Sequence, residues 1–236
     1  MDINPQIIIA LDVPSADDIP PILAQLPDRI EWYKVGLELF TSDGPSALEP
    51  LQAAGKRIFL DLKLHDIPNT VARAVHTAAH HGVAMLTLHA TGGSAMLRLA
   101  AEAAAEYGDQ APALLAVTTL TSLDQQDLDD VGVARPLADH SLALARLAID
   151  AGIDGIVTSV HEAQALRRAL GPGTLLVTPG IRPGGADHGD QKRVATPATA
   201  VQAGATHLVV GRAILNAEDP GAAAENILAE IDNAGK

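Results

Sequence analysis

The sequence predicts an α/β protein with a (β/α)₈ barrel, formed as one domain by residues 1–236. Short apolar runs alternate with longer segments of helical spacing, and this alternation is typical of βα units. Most of the runs are continuously apolar, like residues 7–11, which is expected of parallel strands buried on both faces. Eight such units fit a chain whose length is near the roughly 250 residues typical of this barrel. A doubly wound open sheet is the alternative architecture.

The elements follow one another in a regular order along the chain. The predicted strands are residues 7–11, 32–37, 57–62, 84–89, 113–118, 155–159, 174–178 and 207–211. The clearest helical segments between and after them are residues 15–26, 68–82, 93–107, 136–151 and 219–234. Ser15 is a suitable N-cap, Pro68 suits the first turn of a helix, and Gly152 stands where a helix should end.

The composition restricts the possible functions. Hydrophobic residues make up 47% of the chain and aromatic residues only 2%, so the core must be aliphatic. The formal net charge is −13 and there is no run of basic residues, which argues against general binding of nucleic acid. An anionic ligand must therefore meet a local cationic pocket.

Several classes of chemistry and location are disfavoured by what the sequence lacks. The chain has no cysteine, which excludes disulfides, thiolate nucleophiles and cysteine-bound metal, and fits a reducing cytoplasm. No run approaches the roughly 18 apolar residues of a membrane span, and no basic region precedes a long apolar stretch. Walker-type, GxGxxG and GxSxG motifs do not occur. We expect a soluble, cytoplasmic protein without membrane association.

A lysine stands between two carboxylates where the third strand ends. Asp61 and Lys63 are two residues apart, so they should share one face of the strand, and Asp66 follows shortly after. Neighbouring negative charges favour the protonated form of a lysine, so Asp61 and Asp66 should hold Lys63 as an ammonium group. That is the chemistry of a proton donor. The alternative is an ordinary surface cluster of ion pairs.

The barrel prediction adds further polar residues to the same place, because active sites of this fold lie at the C-terminal ends of the strands. Asp12 and Lys34 fall at the ends of the first two strands, and His89 and Thr121 follow the fourth and fifth. We therefore expect two lysines and two or three aspartates to converge on one mouth of the barrel.

A phosphate site is predicted after the last two strands, where barrels of this class frequently bind phosphate. Arg182 and Arg212 supply planar cationic groups that suit phosphate oxygens, Gly211 allows close approach of the backbone, and Gln191 lies between them in sequence. Residues 182–193 could close over the site as a lid. The alternative is a glycine-rich linker with two solvated arginines.

The histidines do not predict a metal site. His76, His80 and His81 lie on one helical segment that should face solvent outside the barrel, and a metal would need further ligands. His65 and His89 are nearer the mouth, and the sequence leaves open whether they contact substrate or the scaffold.

Residues 61–70, with the sequence DLKLHDIPNT, closely resemble the signature of the orotidine 5′-phosphate decarboxylase family. The Asp-x-Lys-x-x-Asp part is shared with sugar-phosphate enzymes, but the Ile-Pro-Asn-Thr continuation is much more specific. Further matches occur in order at residues 10–12, 34–36, 88–90 with 92–93, 117–122, 179–183 and 210–212. The resemblance therefore extends from the first strand to the eighth.

The resemblance implies a cofactor-free, metal-free lyase that converts orotidine 5′-monophosphate to uridine 5′-monophosphate and carbon dioxide, the last step of pyrimidine synthesis. It implies that Lys63 donates a proton to C6 of the pyrimidine and that Asp61 lies against the leaving carboxylate. Lys34 and Asp66 would complete the charged network, and Asp12 and Lys34 would contact the ribose.

The same resemblance implies a homodimer with shared active sites, in which Asp66, Ile67 and Thr70 reach into the pocket of the partner subunit. Thr121 would meet the base. The pyrimidine or phosphate end would be bound by Arg182, Gln191, Gly211 and Arg212.

Two positions depart from the family pattern. Ala213 stands where many relatives have proline, and Thr158 stands where a cysteine is often found. Neither change removes a charged group. Two other functions stay open at this point: a metal-dependent sugar-phosphate decarboxylase or aldolase on the same barrel, and a nucleotide-binding module without catalytic activity.

Overall fold

A computed structural model describes residues 5–183 and 195–235 of the chain. Eight parallel strands pair in sequence order, and β8 closes the sheet by pairing with β1, which confirms the predicted barrel. The strands are β1 (Gln6–Leu11), β2 (Trp32–Val35), β3 (Arg57–Leu64), β4 (Met85–His89), β5 (Ala113–Val117), β6 (Gly155–Val157), β7 (Leu175–Thr178) and β8 (His207–Val210).

Helices connect successive strands on the outside of the barrel. They are α1 (Ile19–Leu23), α2 (Leu37–Asp43), α3 (Glu49–Ala53), α4 (Pro68–His80), α5 (Gly93–Ala105), α6 (Gln125–Asp130), α7 (Leu137–Asp150), α8 (Val160–Leu170), α9 (Pro197–Gln202), α10 (Arg212–Leu215) and α11 (Pro220–Ala234). Short 3₁₀ helices cover Ala16–Asp18, Gly44–Leu48, Ala90–Gly92 and Gly108–Gln110. Of the helices in the described ranges, none has the length and apolar character needed to cross a bilayer.

The local signals for helix ends are confirmed. The Ser15 side chain accepts a hydrogen bond from the Asp17 N–H, Pro68 is the first residue of α4, and Gly152 follows α7 with φ 91°. The predicted helix over residues 15–26 was too long, because Pro20 and Pro21 would lie in its interior without N–H groups. The chain forms a 3₁₀ turn there and begins α1 just before the two prolines.

Alternation along the strands explains why they are continuously apolar. In β1, Ile7, Ile9 and Leu11 pack against the helices, whereas Ile8 and Ala10 face the barrel interior. The buried residues of the interior cluster are Ile8, Ala10, Trp32, Phe59, Met85, Leu115, Val177 and Val209. Both faces of β1 are thus buried, as in other parallel sheets.

The interior is closely packed beside β6, and this gives a test of the barrel. A Cβ atom added to Gly155 would lie 2.5 Å from Leu175 Cβ and 2.6 Å from the Leu175 carbonyl oxygen. We expect Gly155→Ala to lower the free energy of unfolding by about 1–3 kcal/mol, because the added methyl overpacks the interior. Urea unfolding followed by far-UV circular dichroism at one protein concentration would measure the change.

Gly173→Ala is the matched control for this prediction. Apart from Gly173 itself and its two chain neighbours, no atom lies within 4 Å of the Cβ that this substitution would add. Its effect should stay within about 0.5 kcal/mol, as is usual for surface positions. Equal stability of the two variants would contradict the described packing around Gly155.

Candidate active site

The C-terminal ends of the strands surround a cavity of about 360 Å³. Residues from β1, β2, β3, β5, β6 and β8 and from the segments that follow β1, β5, β6, β7 and β8 line it, which is where this fold places its active sites. Its charged lining residues are Asp12, Lys34, Asp61, Lys63, Arg182 and Arg212. The neutral residues Thr121 and Gly211 also line it, so eight of the sequence-predicted site residues lie around one cavity.

The charge of this lining differs in sign from the charge of the whole chain. Four cationic side chains and two carboxylates give the described lining a formal charge of +2, whereas the full sequence has −13. A multiply charged anion can therefore be attracted locally although the protein as a whole is acidic. The structure provides the cationic pocket that the composition requires for an anionic ligand.

The strand that supplies Asp61 and Lys63 is irregular at this point. Leu60 pairs with Leu86 and Leu64 pairs with Leu88, so three residues of β3 lie opposite one residue of β4. Lys63 has φ 50°. Among the described residues, it is the one residue other than glycine that has a positive φ. Such a backbone conformation costs on the order of 1–3 kcal/mol and is typical of functional sites.

Asp61 is the centre of the charged network. Its Oδ2 atom lies 2.8 Å from Lys63 Nζ and 3.7 Å from Lys34 Nζ. Its Oδ1 atom accepts a hydrogen bond of 2.9 Å from the Thr87 hydroxyl. The side chains of Asp61 and Lys34 are only 13% and 11% exposed, so these ion pairs are poorly screened by water. The prediction that Asp61 and Lys63 share one face is confirmed.

Asp12 extends the network towards solvent. Lys34 Nζ donates a hydrogen bond of 3.1 Å to Asp12 Oδ1, so Lys34 bridges the two carboxylates. Gly36 makes room for this ammonium group, because a Cβ at that position would lie 2.8 Å from Lys34 Nζ. A Cβ at Gly211 would likewise lie 3.4 Å from Asp12 Oδ2.

Asp66 does not join this network within one chain, which corrects part of the sequence prediction. Its carboxylate accepts a hydrogen bond of 2.6 Å from the Ile67 N–H at the start of α4. Among the described residues it makes no ion pair within 4 Å, and Lys63 is paired with Asp61. The reason is geometric: Asp66 lies beyond the strand, where the chain turns into α4.

Ile67 and Thr70 are also outside the cavity of their own chain. Both residues are exposed, and Ile67 is 67% exposed although its side chain is large and apolar. Gln191 and most of the proposed lid, from residue 184 onward, lie outside the described residues.

Arg182 and Arg212 stand on two adjacent connections. Arg182 follows β7, and its Nη1 atom donates a hydrogen bond of 2.9 Å to the Ile181 carbonyl. Its backbone N–H donates to the Ala195 carbonyl, beside a bridge that lies beyond β7. Arg212 is the first residue of α10, directly after Gly211 at the end of β8. Both arginines line the cavity, and the strands that they follow, β7 and β8, are not neighbours of β3 in the barrel.

None of the histidines in residues 5–183 and 195–235 is among the residues that line the cavity. The rings of His65 and His89 are 5.5 Å apart, and burial, with smaller effects of His65 and Lys63, lowers the pKa of His89. His76 lies on α4 with its Nε2 atom 3.8 Å from Glu106, as expected for a helix surface. In the described ranges no three histidine or acidic residues cluster as metal ligands would.

Sequence reasoning missed several uncharged residues of the site. Phe59 forms part of the floor, and Thr119, Ser122 and Thr158 line the wall after β5 and β6. Thr87 lies behind the network and is fully buried. The available signal was a threonine that interrupts the apolar run of β4, but its partners depend on the register of β3.

The chain is similar over nearly its whole length to proteins of one family. The family model described as Orotidine 5′-phosphate decarboxylase / HUMPS family matches residues 5–227. The orotidine 5′-phosphate decarboxylase of Halorhodospira halophila is 52% identical over 231 residues, covering 98% of both chains. That of Moorella thermoacetica is 48% identical, covering 98% of this chain and 94% of its own.

Solved structures give the same result. The crystal structure of orotidine 5′-phosphate decarboxylase from Lactobacillus acidophilus superposes with a TM-score of 0.86 at 38% identity, covering 97% of this chain and 99% of that one. An uncharacterised conserved protein from Geobacillus kaustophilus has a TM-score of 0.83 at 33% identity, covering 98% and 100%. With the matched family model and these relatives, the chain belongs to the orotidine 5′-phosphate decarboxylase / HUMPS family.

Proposed function

We propose that this chain is a lyase that converts orotidine 5′-monophosphate to uridine 5′-monophosphate and carbon dioxide in pyrimidine synthesis. The observation that supports this best is the pairing of Lys63 with Asp61 at the end of one cavity that also contains two arginines. The two named relatives, which are 52% and 48% identical to this chain over nearly its whole length, support the same reaction. The proposed compartment is the cytoplasm, in line with the absence of cysteine.

The proposed substrate orientation follows from the distribution of charge. Arg182 and Arg212 bind the phosphate, since planar guanidinium groups match phosphate oxygens. Asp12 and Lys34 contact the ribose, and Thr121 contacts the base. The carboxylate at C6 then points towards β3, where Asp61 and Lys63 lie. The roles of Gln191 and of a lid over residues 182–193 belong to this proposal as well.

The chemical step proposed for this geometry needs one proton donor. The bond between C6 and the carboxylate carbon breaks, carbon dioxide leaves, and the electron pair stays on C6. The Lys63 ammonium group stabilises this charge and then transfers a proton to C6, after which the neutral amine takes a proton from solvent. Stabilisation of developing charge by preorganised groups of this kind usually contributes more to enzyme catalysis than any other single effect.

Repulsion between Asp61 and the substrate carboxylate is the smaller contribution. Two like charges about 4 Å apart repel by roughly 4 kcal/mol at an effective dielectric constant near 20. Enzymes lower barriers by roughly 8–23 kcal/mol, so this repulsion is insufficient alone. Lys63 at 2.8 Å and Lys34 at 3.7 Å from Asp61 Oδ2 also offset part of its negative charge. Binding of the distant phosphate therefore contributes to orientation and closure.

A homodimer with shared sites is part of the proposal. Asp66, Ile67 and Thr70 lie at the start of α4, outside the cavity of their own chain. The exposed apolar side chain of Ile67 is suited to burial against a second copy. Asp66, which has no ion pair in the described part of its own chain, is then available to the partner's Lys63.

The central test is decarboxylation of orotidine 5′-monophosphate, followed by ultraviolet absorbance with and without a chelator. We expect turnover that is unchanged by the chelator, because the proposed charge stabilisation comes from side chains. Turnover that is lost with the chelator and restored by magnesium would favour a metal-dependent sugar-phosphate decarboxylase or aldolase instead.

The role of Lys63 is tested by Lys63→Ala. We expect decarboxylation to fall below detection, whereas uridine 5′-monophosphate still binds, because the phosphate and ribose contacts stay in place. Calorimetric titration measures binding, and Arg168→Ala, which removes an exposed cation from α8, is the control with normal turnover. Unchanged turnover in Lys63→Ala would show that Lys63 is not the proton donor, and binding of uridine 5′-monophosphate without any turnover in the wild type would favour a nucleotide-binding module.

Shared sites are tested by mixing Lys63→Ala protein with Asp66→Ala protein. Each hybrid dimer would contain one site with both native residues. Random exchange should therefore restore up to about a quarter of the wild-type activity, since half of the dimers are hybrids with one intact site each. Absence of recovery, with subunit exchange verified by differently tagged chains, would show that Asp66 does not act across the interface.

A further inference from the structure

We infer that Thr87 is a positioning residue that fixes the Lys63–Asp61 pair in its reactive geometry. This inference rests on the proposed decarboxylation. Thr87 is fully buried, lies in the middle of β4, and is not among the residues that line the cavity. It therefore acts through its two neighbours on β3 rather than by touching the substrate.

The Thr87 hydroxyl contacts both members of the pair at once. Its Oγ1 atom accepts a hydrogen bond of 2.8 Å from the Lys63 backbone N–H. It donates its own proton to Asp61 Oδ1, at 2.9 Å. A hydroxyl has one proton, so the first bond leaves this proton available for the carboxylate, and the direction of both bonds is determined.

The position of Thr87 opposite the irregular part of β3 explains why a side chain is needed there. Between the Leu60–Leu86 and Leu64–Leu88 pairs, the two strands do not continue the regular ladder. The N–H of Lys63 consequently bonds to the Thr87 side chain instead of a backbone carbonyl. The hydroxyl thus supports the backbone that holds Lys63 at φ 50°.

The second bond orients the carboxylate. With Oδ1 held by Thr87, the Oδ2 atom of Asp61 faces the ammonium groups of Lys63 and Lys34. Without the hydroxyl, Asp61 could rotate and the Lys63 N–H would lose its partner. Both changes would displace the ammonium group from C6, and a displacement of about 1 Å can reduce turnover by two orders of magnitude.

The experiment compares Thr87→Val, which removes the hydroxyl at nearly constant shape, with Thr87→Ser, which keeps it. We expect kcat to fall about 10- to 100-fold in Thr87→Val, with a much smaller change in KM, since the distant phosphate contacts are retained. Thr87→Ser should recover most of the loss. Wild-type kcat in Thr87→Val would overturn the inference.

Thr206→Val is the matched control for a general loss of stability. Thr206 is also a buried threonine, and it lies just before β8, away from the mouth. Its hydroxyl accepts a hydrogen bond from the Leu176 backbone N–H and is within hydrogen-bond distance of the Leu176 carbonyl. We expect this variant to lose thermal stability but to keep kcat. Equal losses of kcat in Thr206→Val and Thr87→Val, at similar thermal midpoints, would make the role of Thr87 merely structural.

A readout without substrate separates this inference from the proposed function. In a crystal structure of Thr87→Val, Lys63 Nζ should lie farther than about 4 Å from Asp61 Oδ2, the limit for a close ion pair, or Lys63 should leave its positive φ. An unchanged pair would overturn the inference even if wild-type protein decarboxylates its substrate. If Thr87→Val does not fold, Thr87→Cys serves instead, because a thiol is a weak donor and acceptor.

Discussion

The arrangement of the site depends on one carboxylate that is shared by three partners. One carboxylate oxygen of Asp61 accepts a hydrogen bond from the Thr87 hydroxyl, and the other forms ion pairs with Lys63 and Lys34. A mostly buried carboxylate is stable only when its charge and its hydrogen-bonding capacity are both satisfied. The ammonium groups of Lys63 and Lys34 both satisfy this one group, and Lys34 connects it to Asp12.

The fold was predictable because its signals are short in range. Ile7, Ile9 and Leu11 lie on one face of β1, and Ile8 and Ala10 lie on the other, as strand geometry requires. A run in which every residue is apolar therefore already indicates a strand that is covered on both faces. The connection between β2 and β3 was not assigned. It contains α2, a 3₁₀ helix and α3, and Gly44 at φ 60° interrupts the helical period that would have revealed them.

The site was predictable where chain position alone decides it. Strand ends gave Asp12, Lys34, Asp61 and Lys63, because parallel strands of a barrel end at the same mouth. Thr87 was not predictable, since its bonds require a register shift between β3 and β4 that no local pattern encodes. The expected contact between Asp66 and Lys63 rested on their closeness in sequence, and it does not form within one chain because Asp66 lies beyond β3, where its carboxylate accepts the Ile67 N–H.

The contrast between a cationic mouth and an acidic body has a consequence for how ligands arrive. At distances beyond the Debye length, about 10 Å at 0.1 M salt, an anion is screened from most of the −13 charge, whereas the +2 lining acts at close range. In dilute salt the repulsion of the whole surface extends further and opposes the encounter. Association with a multiply charged anion should therefore be faster at moderate than at very low ionic strength, the reverse of the usual electrostatic steering.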